Sequence, residues 1–264
     1  MEYTLPPQYL AKDKHFDYRK AMESLNDAKV QDDDLKLIAL IRNYYIENPS
    51  TRPYNFDEPD KMDQSKGQTA VIDKLLNQKE DGFFVECGAN SGEKLSNSLF
   101  LERYRNWDGI LIEANPIVYK MLKKKNRKSY TLNACLNIKP YPAMVAFLED
   151  SWWSKMLDGN YSKSYKEKGD AGRFIQVQCF PLYSILLALN QTRVDYFSLD
   201  VEGTEKGVLD SIPWDKVDIR TMSIEFNKWS GGKSSLIAYM ARQGYKAVSE
   251  IDTDKAHDII FLRL

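Results

Sequence analysis

The chain has 264 residues, of which 43% are hydrophobic, 12% aromatic and 28% charged, the composition of a soluble globular protein with enough apolar side chains to bury a sizeable core. Thirty-seven Lys and Arg against 38 Asp and Glu leave a formal net charge of -1, so no global field draws the protein to nucleic acid or an anionic membrane, and either partner would need a local patch. The longest apolar run, Ala143 to Leu148, falls far short of the roughly 20 residues that span a bilayer.

The N-terminal MEYTLPPQYLAKDK lacks the basic-then-apolar order of a secretory leader. A cytoplasmic location is expected, or the secretory pathway if a leader or anchor has been removed. Cys87, Cys135 and Cys179 follow neither a disulfide framework nor a CxxC pattern and read as reduced, buried thiols. With His15 and His257 the only imidazoles, zinc is disfavoured; no metal is assigned, and a cation would have to be a hard ion on carboxylates.

Residues 1–66 read as a helical appendage and connector, and residues 67–264 as the main domain. Asp32, Asp33 and Asp34 precede LKLIALIRNYYIE, whose Leu35, Ile38, Ile41, Arg42 and Tyr45 recur at helical spacing until Asn48-Pro49 stops it. Pro49 to Lys66 holds three prolines, a long connector that is expected to cover the cofactor or acceptor cleft. Gly67 to Asn77 resumes a helical pattern.

From Gly82 onward, short apolar segments alternate with longer mixed ones, as in strands joined by crossover helices. Seven strands are predicted: Phe83 to Cys87, Ile110 to Glu113, Tyr130 to Ala134, Val194 to Asp200, Ile219 to Glu225, Tyr245 to Ser249 and Asp258 to Leu262. Glu250 to His257 is too short for a right-handed crossover, so the last strand is expected to run antiparallel. The fold class is a Rossmann-like three-layer α/β sandwich with a mostly parallel sheet. An extra strand pair joined by a mobile loop is expected between Ala143 and Val177; the loop's Trp152, Trp153, Tyr161 and Tyr165 either stack on an acceptor or anchor the loop. The basic run Lys120 to Lys128 reads as a solvated helix end, with an anion-binding face as the alternative.

The strongest local signal is Phe83-Phe84-Val85-Glu86-Cys87-Gly88-Ala89-Asn90-Ser91-Gly92, an apolar strand ending in an acid and a glycine turn. Glycines there let backbone amides approach a ligand at a helix N-terminus. On the nicotinamide fingerprint GxGxxG, the second and third glycine positions fall on Asn90 and Glu93, which weakens an oxidoreductase reading. Glu113 ends the next strand about 20 residues after Gly92, the separation at which a carboxylate bonds ribose hydroxyls. A third apolar strand ends in Asp200-Val201-Glu202-Gly203-Thr204-Glu205. Carboxylates at that strand end can position a nucleophile, take its proton or hold a divalent ion. The structural alternatives are that Glu113 is a solvated strand end, that the glycines make only a tight turn, and that Glu202 and Glu205 begin a helix.

The stretches VECGANSGEKLSNSLFLE, WDGILIEANP, NACL and VDYFSLDVEGTE resemble the FkbM-type methyltransferase family over roughly Gln68 to Leu264. The block from Asn97 to Asn126, IPWDKV at Ile212 to Val217 and MSIEFN at Met222 to Asn227 are similar to the animal FkbM-domain proteins that include the Star group. The resemblance implies a class I methyltransferase fold, S-adenosylmethionine as donor and a hydroxyl on a small molecule or glycan as acceptor. Star-like members are associated with membrane trafficking of signalling cargo, which implies the alternative of a non-catalytic protein-binding module.

Carried over by position, Glu86, Gly88, Asn90 and Gly92 match the family's first motif, Glu113 its ribose acid, and Asn133 lies where adenine is expected. Asp200, Glu202 and Gly203 match its Asp-Val-Glu-Gly segment, and Glu225 a further acid. The implied cofactor-binding set is Glu86, Gly88, Asn90, Gly92, Glu113, Asn133 and Asp200. The implied catalytic set is Asp200 as first candidate for the base, with Glu202 or Glu225 second; a divalent ion on Asp200 and Glu202 stays open. Cys87 departs from the small or aliphatic residue often found there.

Overall fold

The computed structural model describes residues 16–149, 155–156 and 173–264. Asp17 accepts from Lys20 N to cap α1 (Tyr18–Ala28), and Asp34, the last of the three aspartates, accepts from Lys36 N and Leu37 N to cap α2 (Leu35–Leu40). Helix α2 runs on as a π-turn, Ile41–Tyr45, into β1 (Ile46–Glu47). After the connector come α3 (Gln68–Leu75), β2 (Phe83–Cys87), α4 (Leu99–Tyr104), β3 (Asp108–Ile112), α5 (Pro116–Lys124) and β4 (Tyr130–Leu132). A small insert holds β5 (Cys135–Leu136), β6 (Ala143–Glu149), β7 (Lys155–Met156) and β8 (Arg173–Phe180). The chain closes with α6 (Leu182–Ala188), β9 (Arg193–Leu199), α7 (Glu205–Asp210), β10 (Asp218–Glu225), α8 (Gly232–Arg242), β11 (Tyr245–Asp252) and β12 (His257–Arg263).

The main sheet has the order β1-β4-β3-β2-β9-β10-β12-β11. Strands β4, β3, β2, β9 and β10 are parallel, and β12 runs antiparallel to both β10 and β11, as the short final connection requires. All seven expected strands are present. An eighth, β1, pairs antiparallel with β4 at the sheet edge. It is too short to produce an alternating pattern. Strand order reverses between β2 and β9, the place where open α/β sheets form their ligand crevice. The expected extra pair, β6 and β8, lies antiparallel in a second sheet of order β5-β8-β6-β7; the loop aromatics lie outside the described residues.

Strand β2 is buried along its whole length. Its alternate side chains enter two cores: Phe83 and Val85 with Ile110 and Phe197 on one face, Phe84 with Leu111 and Tyr196 on the other. Met22, Leu37, Ile38 and Ile41 belong to the first of these cores. Arg42 Nε donates to the Ala188 carbonyl at 2.6 Å and Ser184 Oγ to the Asp32 carbonyl at 2.6 Å, tying this segment to α6. Among the described residues no helix is long and apolar enough to cross a membrane.

Two expectations are corrected. The basic run is not a solvated face throughout: Lys125 and Arg127 are buried, paired with Glu93 at 2.7 Å and Glu102 at 3.0 Å. Charge pattern alone misses this because both acids lie more than a helix away in sequence. The connector is laid against the same region, with Ser50 N on the Arg127 carbonyl, Asn55 N on the Lys125 carbonyl, and Asp57 N and Glu58 N on the Glu93 carboxylate.

Second, Cys135 and Cys179 are not thiols. They are register partners on β5 and β8, with Cα atoms 4.4 Å apart, and form a disulfide, leaving Cys87 free and buried. Strand register, invisible in sequence spacing, brings them together. Closing a loop of this length restricts the unfolded chain by roughly 4 kcal/mol. Alkylation of denatured protein without reductant is therefore expected to label Cys87 alone, and all three cysteines after reduction; three labels without reductant would disprove the bridge.

Candidate functional site

A cavity of about 260 Å³ opens at the carboxyl ends of β2, β3 and β9, walled by the 86–90 turn, Glu113, Ala134 to Leu136, Asp200, Glu225 and His257, with Lys66 and Gln68 on one side. The turn after β2 makes the room. Gly88 has φ +80° and a Cβ there would overlap the main-chain carbonyl oxygen of Asp200; only glycine satisfies both demands. Gly92, at φ +75°, lets the loop rest on α5, where a Cβ would stand 2.9 Å from Leu122 Cγ. Asn90, also at positive φ, accepts Ser91 N on its own Oδ1 at 2.6 Å.

Glu113 links this turn to the next. Its Oε2 accepts from Asn90 N at 2.8 Å and its Oε1 from Asn115 N at 2.8 Å, holding the carboxylate at the cavity wall with 8% exposure. Burial pushes it up to about 7, against the pull of these N–H donors. Asn133 directs its amide nitrogen to the Glu113 and Ala114 carbonyls at 2.8 and 3.2 Å, so it braces the loop that carries Glu113, while Ala134 and Cys135 supply the wall beside it.

Glu86 is spent differently. Its carboxylate accepts from Ser96 Oγ, Asn97 N and Ser98 Oγ, and Arg127 in turn donates to Ser96 Oγ, Ser98 Oγ and the Gly92 carbonyl. Burial raises its pKa while Arg127 and these donors oppose the rise. The acid thus shapes the loop 91–98 from beneath.

Across the cavity stands a second set of acids. Asp200 follows β9, Glu225 ends β10, Asp258 sits opposite Glu225 on β12, and Glu205 opens α7. Glu205 Oε1 accepts from Val201 N and Gly203 N at 3.1 and 3.0 Å, and Asp258 Oδ2 accepts from Gln68 Nε2 at 2.7 Å. One oxygen each from Asp200, Glu205 and Glu225 lie within 4.8 Å of one another. Burial, then repulsion from Asp258 and Glu205, lifts Asp200 to about 7. Burial, then Asp200, Glu205 and Asp258, lifts Glu225 to about 9. Asp200 Oδ1, Glu225 Oε2 and the Asn97 amide oxygen are shut off from solvent with no hydrogen-bond partner among the described residues. Buried acceptors left unpaired cost folding energy and mark places where a ligand supplies the missing donor.

Of the residues singled out from sequence, Glu86, Gly88, Asn90, Glu113, Asp200, Glu202 and Glu225 line this one cavity. Gly92 and Asn133 support it from outside the lining. Glu202, at positive φ, is ion-paired with Lys228, which sets it apart from Asp200 and Glu225, each with one buried oxygen lacking a partner among the described residues. Sequence reasoning overlooked Asn97, Gln68 and Asp258. None stands in a recognisable spacing, and only the antiparallel return of β12 brings Asp258 beside Glu225.

Strand order, crevice and acid placement define the α/β fold of a class I methyltransferase. The family model for the methyltransferase FkbM domain matches residues 86–247, and the chain belongs to that family. Among solved structures, the FkbM methyltransferase of Methylobacillus flagellatus KT is 14% identical with a TM-score of 0.45; the alignment covers 92% of this chain and 58% of that one. The METTL16 methyltransferase domain is 12% identical, covering 99% of this chain and 97% of that one, with a TM-score of 0.45. The 1,6-didemethyltoxoflavin-N1-methyltransferase of Burkholderia thailandensis, solved with S-adenosylhomocysteine, is 11% identical over 75% of this chain and 77% of that one, with a TM-score of 0.38. No curated protein sequence matches the chain.

Replacing Gly88 by Ala forces a side chain against a carbonyl in a left-handed conformation. The expected loss is about 3 kcal/mol in urea unfolding, and a variant as stable as the parent would contradict the packing described for this turn.

Proposed function

We propose that the protein is an S-adenosylmethionine-dependent methyltransferase that methylates a hydroxyl of a small molecule or glycan. The observation that carries this reading is the pairing of two differently tuned acidic walls across one cavity: Glu113 fixed by backbone N–H groups on one side, and Asp200 and Glu225 with unpaired oxygens on the other. The residues fit the cofactor. Gly88 clears the space a Cβ would fill, Glu113 offers an acceptor to ribose hydroxyls, and the unpaired Asn97 oxygen suits an ammonium donor.

Bound there, the cofactor would supply an electrophilic methyl on a sulfonium. Glu86 and Arg127 keep the loop 91–98 in place, and Asn133 and Asn115 keep Glu113 in place, so the walls that would hold cofactor and acceptor are set before either binds. Asp200 is the base. Its Oδ1 has no competing donor, and a value of about 7 suits proton transfer near neutrality. Glu225 is the second candidate; Glu202 ranks below both because Lys228 occupies it.

On this reading residues 67–264 form the catalytic domain, and residues 1–66 an N-terminal segment whose described residues pack into its core and edge strand and reach the cleft at Lys66. The Cys135–Cys179 bridge favours an oxidising compartment over the cytoplasm, and it suits the narrower kinship with animal Star-like members. Their alternative role, a non-catalytic module for protein cargo, gives no reason to bury acids without partners.

Calorimetry is expected to detect S-adenosylhomocysteine and S-adenosylmethionine but not NAD; binding of NAD alone would overturn the proposal. Binding should tighten as pH rises from 6 to 8, because the ionised Glu113 accepts ribose hydroxyls more strongly than the neutral acid does, and Glu113→Gln should remove that slope. Asp200→Asn should lose methyl transfer from labelled cofactor to hydroxyl-bearing metabolites while keeping cofactor affinity; surviving transfer would refute Asp200 as the base.

A further inference from the structure

We propose that Asp200, Glu205 and Glu225 bind one hard divalent cation, of the Mg²⁺ or Mn²⁺ kind, at the acidic wall of the cavity. The three acids come from separate elements, the end of β9, the first turn of α7 and the end of β10. One oxygen from each lies within 4.8 Å of one from each of the others. Like charges so close must be quenched by protons or by a cation.

A shared proton would draw two carboxyl oxygens to roughly 2.5–2.7 Å. No hydrogen bond joins them: Asp200 Oδ1 and Glu225 Oε2 are both closed to solvent and lack any partner among the described residues, and Glu225 as a whole is only 9% exposed. Oxygens on one hard octahedral cation, at about 2.0–2.2 Å from it, lie roughly 3 to 4.4 Å apart, within the 4.8 Å limit on these separations.

The neighbouring charges leave the cluster anionic. Lys228, paired with Glu202, also offsets part of the charge on Asp200, while His257 Nδ1 is held by Asp252 at 2.7 Å and Asp258 adds a further carboxylate. The donors are oxygens alone, which selects hard ions over zinc or copper. Glu205 Oε1 accepts from Val201 N and Gly203 N, which fixes its carboxylate at the start of α7 rather than leaving it to be ordered on binding.

Asp200 and Glu225 line the cavity, so such a cation keeps coordination positions open toward an incoming acceptor. A hydroxyl with an adjacent oxygen, as in a sugar diol, would chelate it and be polarised by it. This role rests on the methyltransferase reading; the binding itself does not. Under it Asp200 would hold the cation beside the acceptor through one carboxylate oxygen and take the hydroxyl proton on the other.

The test is a titration of the full, chelator-treated chain with Mn²⁺, followed by electron paramagnetic resonance, with Mg²⁺ as competitor. One Mn²⁺ per chain is expected, displaced by Mg²⁺. Glu225→Gln and Asp200→Asn, near-isosteric changes whose folding is checked by circular dichroism, should each weaken it at least about tenfold. Asp254→Asn, at the exposed rim of the same cavity, should change it less than about twofold. No binding at millimolar Mn²⁺, or equal binding in parent and both folded variants, overturns the site. S-adenosylhomocysteine calorimetry on the same samples separates the two ideas: cofactor bound without Mn²⁺ sinks the cation alone, and Mn²⁺ bound without cofactor sinks the methyltransferase reading alone.

Discussion

Everything at the carboxyl edge of the sheet follows from how closely β2 and β9 approach where their order reverses. Gly88 passes so near the Asp200 carbonyl that no side chain fits between them, and the turn that follows is bent away through two more left-handed residues, Asn90 and Gly92. That bend aims Asn90 N at Glu113. A single steric constraint on one residue thus couples three strand ends into one crevice and sets both of its walls.

The charges around the crevice are balanced unevenly, and the unevenness separates support from function. Glu86, Glu93 and Glu102 are deeply buried, yet each has a cation or several donors at hand: Arg127 and the serines for Glu86 and Glu102, Lys125 and two backbone N–H groups for Glu93. These pairs fasten the glycine loop, α5 and the connector to one another. Asp200 and Glu225 have no such compensation on their inward oxygens. Buried charge left unbalanced is costly in a scaffold and useful in a site, and it coincides with the cavity.

How much of this was legible in the sequence depends on the range of the interaction. The strands β2, β3, β9 and β10 carry their own signal, because a strand buried on both faces is a continuous apolar run, and the acids at their ends are fixed by the same runs. Asp34 announces α2 through a local cap. By contrast, β1 has two residues and no pattern, and the Cys135–Cys179 bridge depends on the register of two strands 44 residues apart. Lys125 and Arg127 resemble their solvated neighbours until the fold brings Glu93 and Glu102 against them. Asn133, expected near the nucleoside, turns its amide nitrogen to the Glu113 and Ala114 carbonyls, a contact that its place in the sequence does not announce. Local chemistry and the connection lengths that set strand direction were readable; the register of particular strand pairs and the side chains it brings together were not.

The central claim is that a nucleoside lies between the glycine turn and Glu113. Amide chemical shifts in ¹⁵N-labelled protein titrated with S-adenosylhomocysteine test it most directly. The account predicts the largest, saturable changes at Gly88, Asn90 and Asn115, the backbone groups that shape the turn and hold the acid. Saturable changes confined to the distant face formed by α8 and β11, with these three amides unmoved, would contradict it.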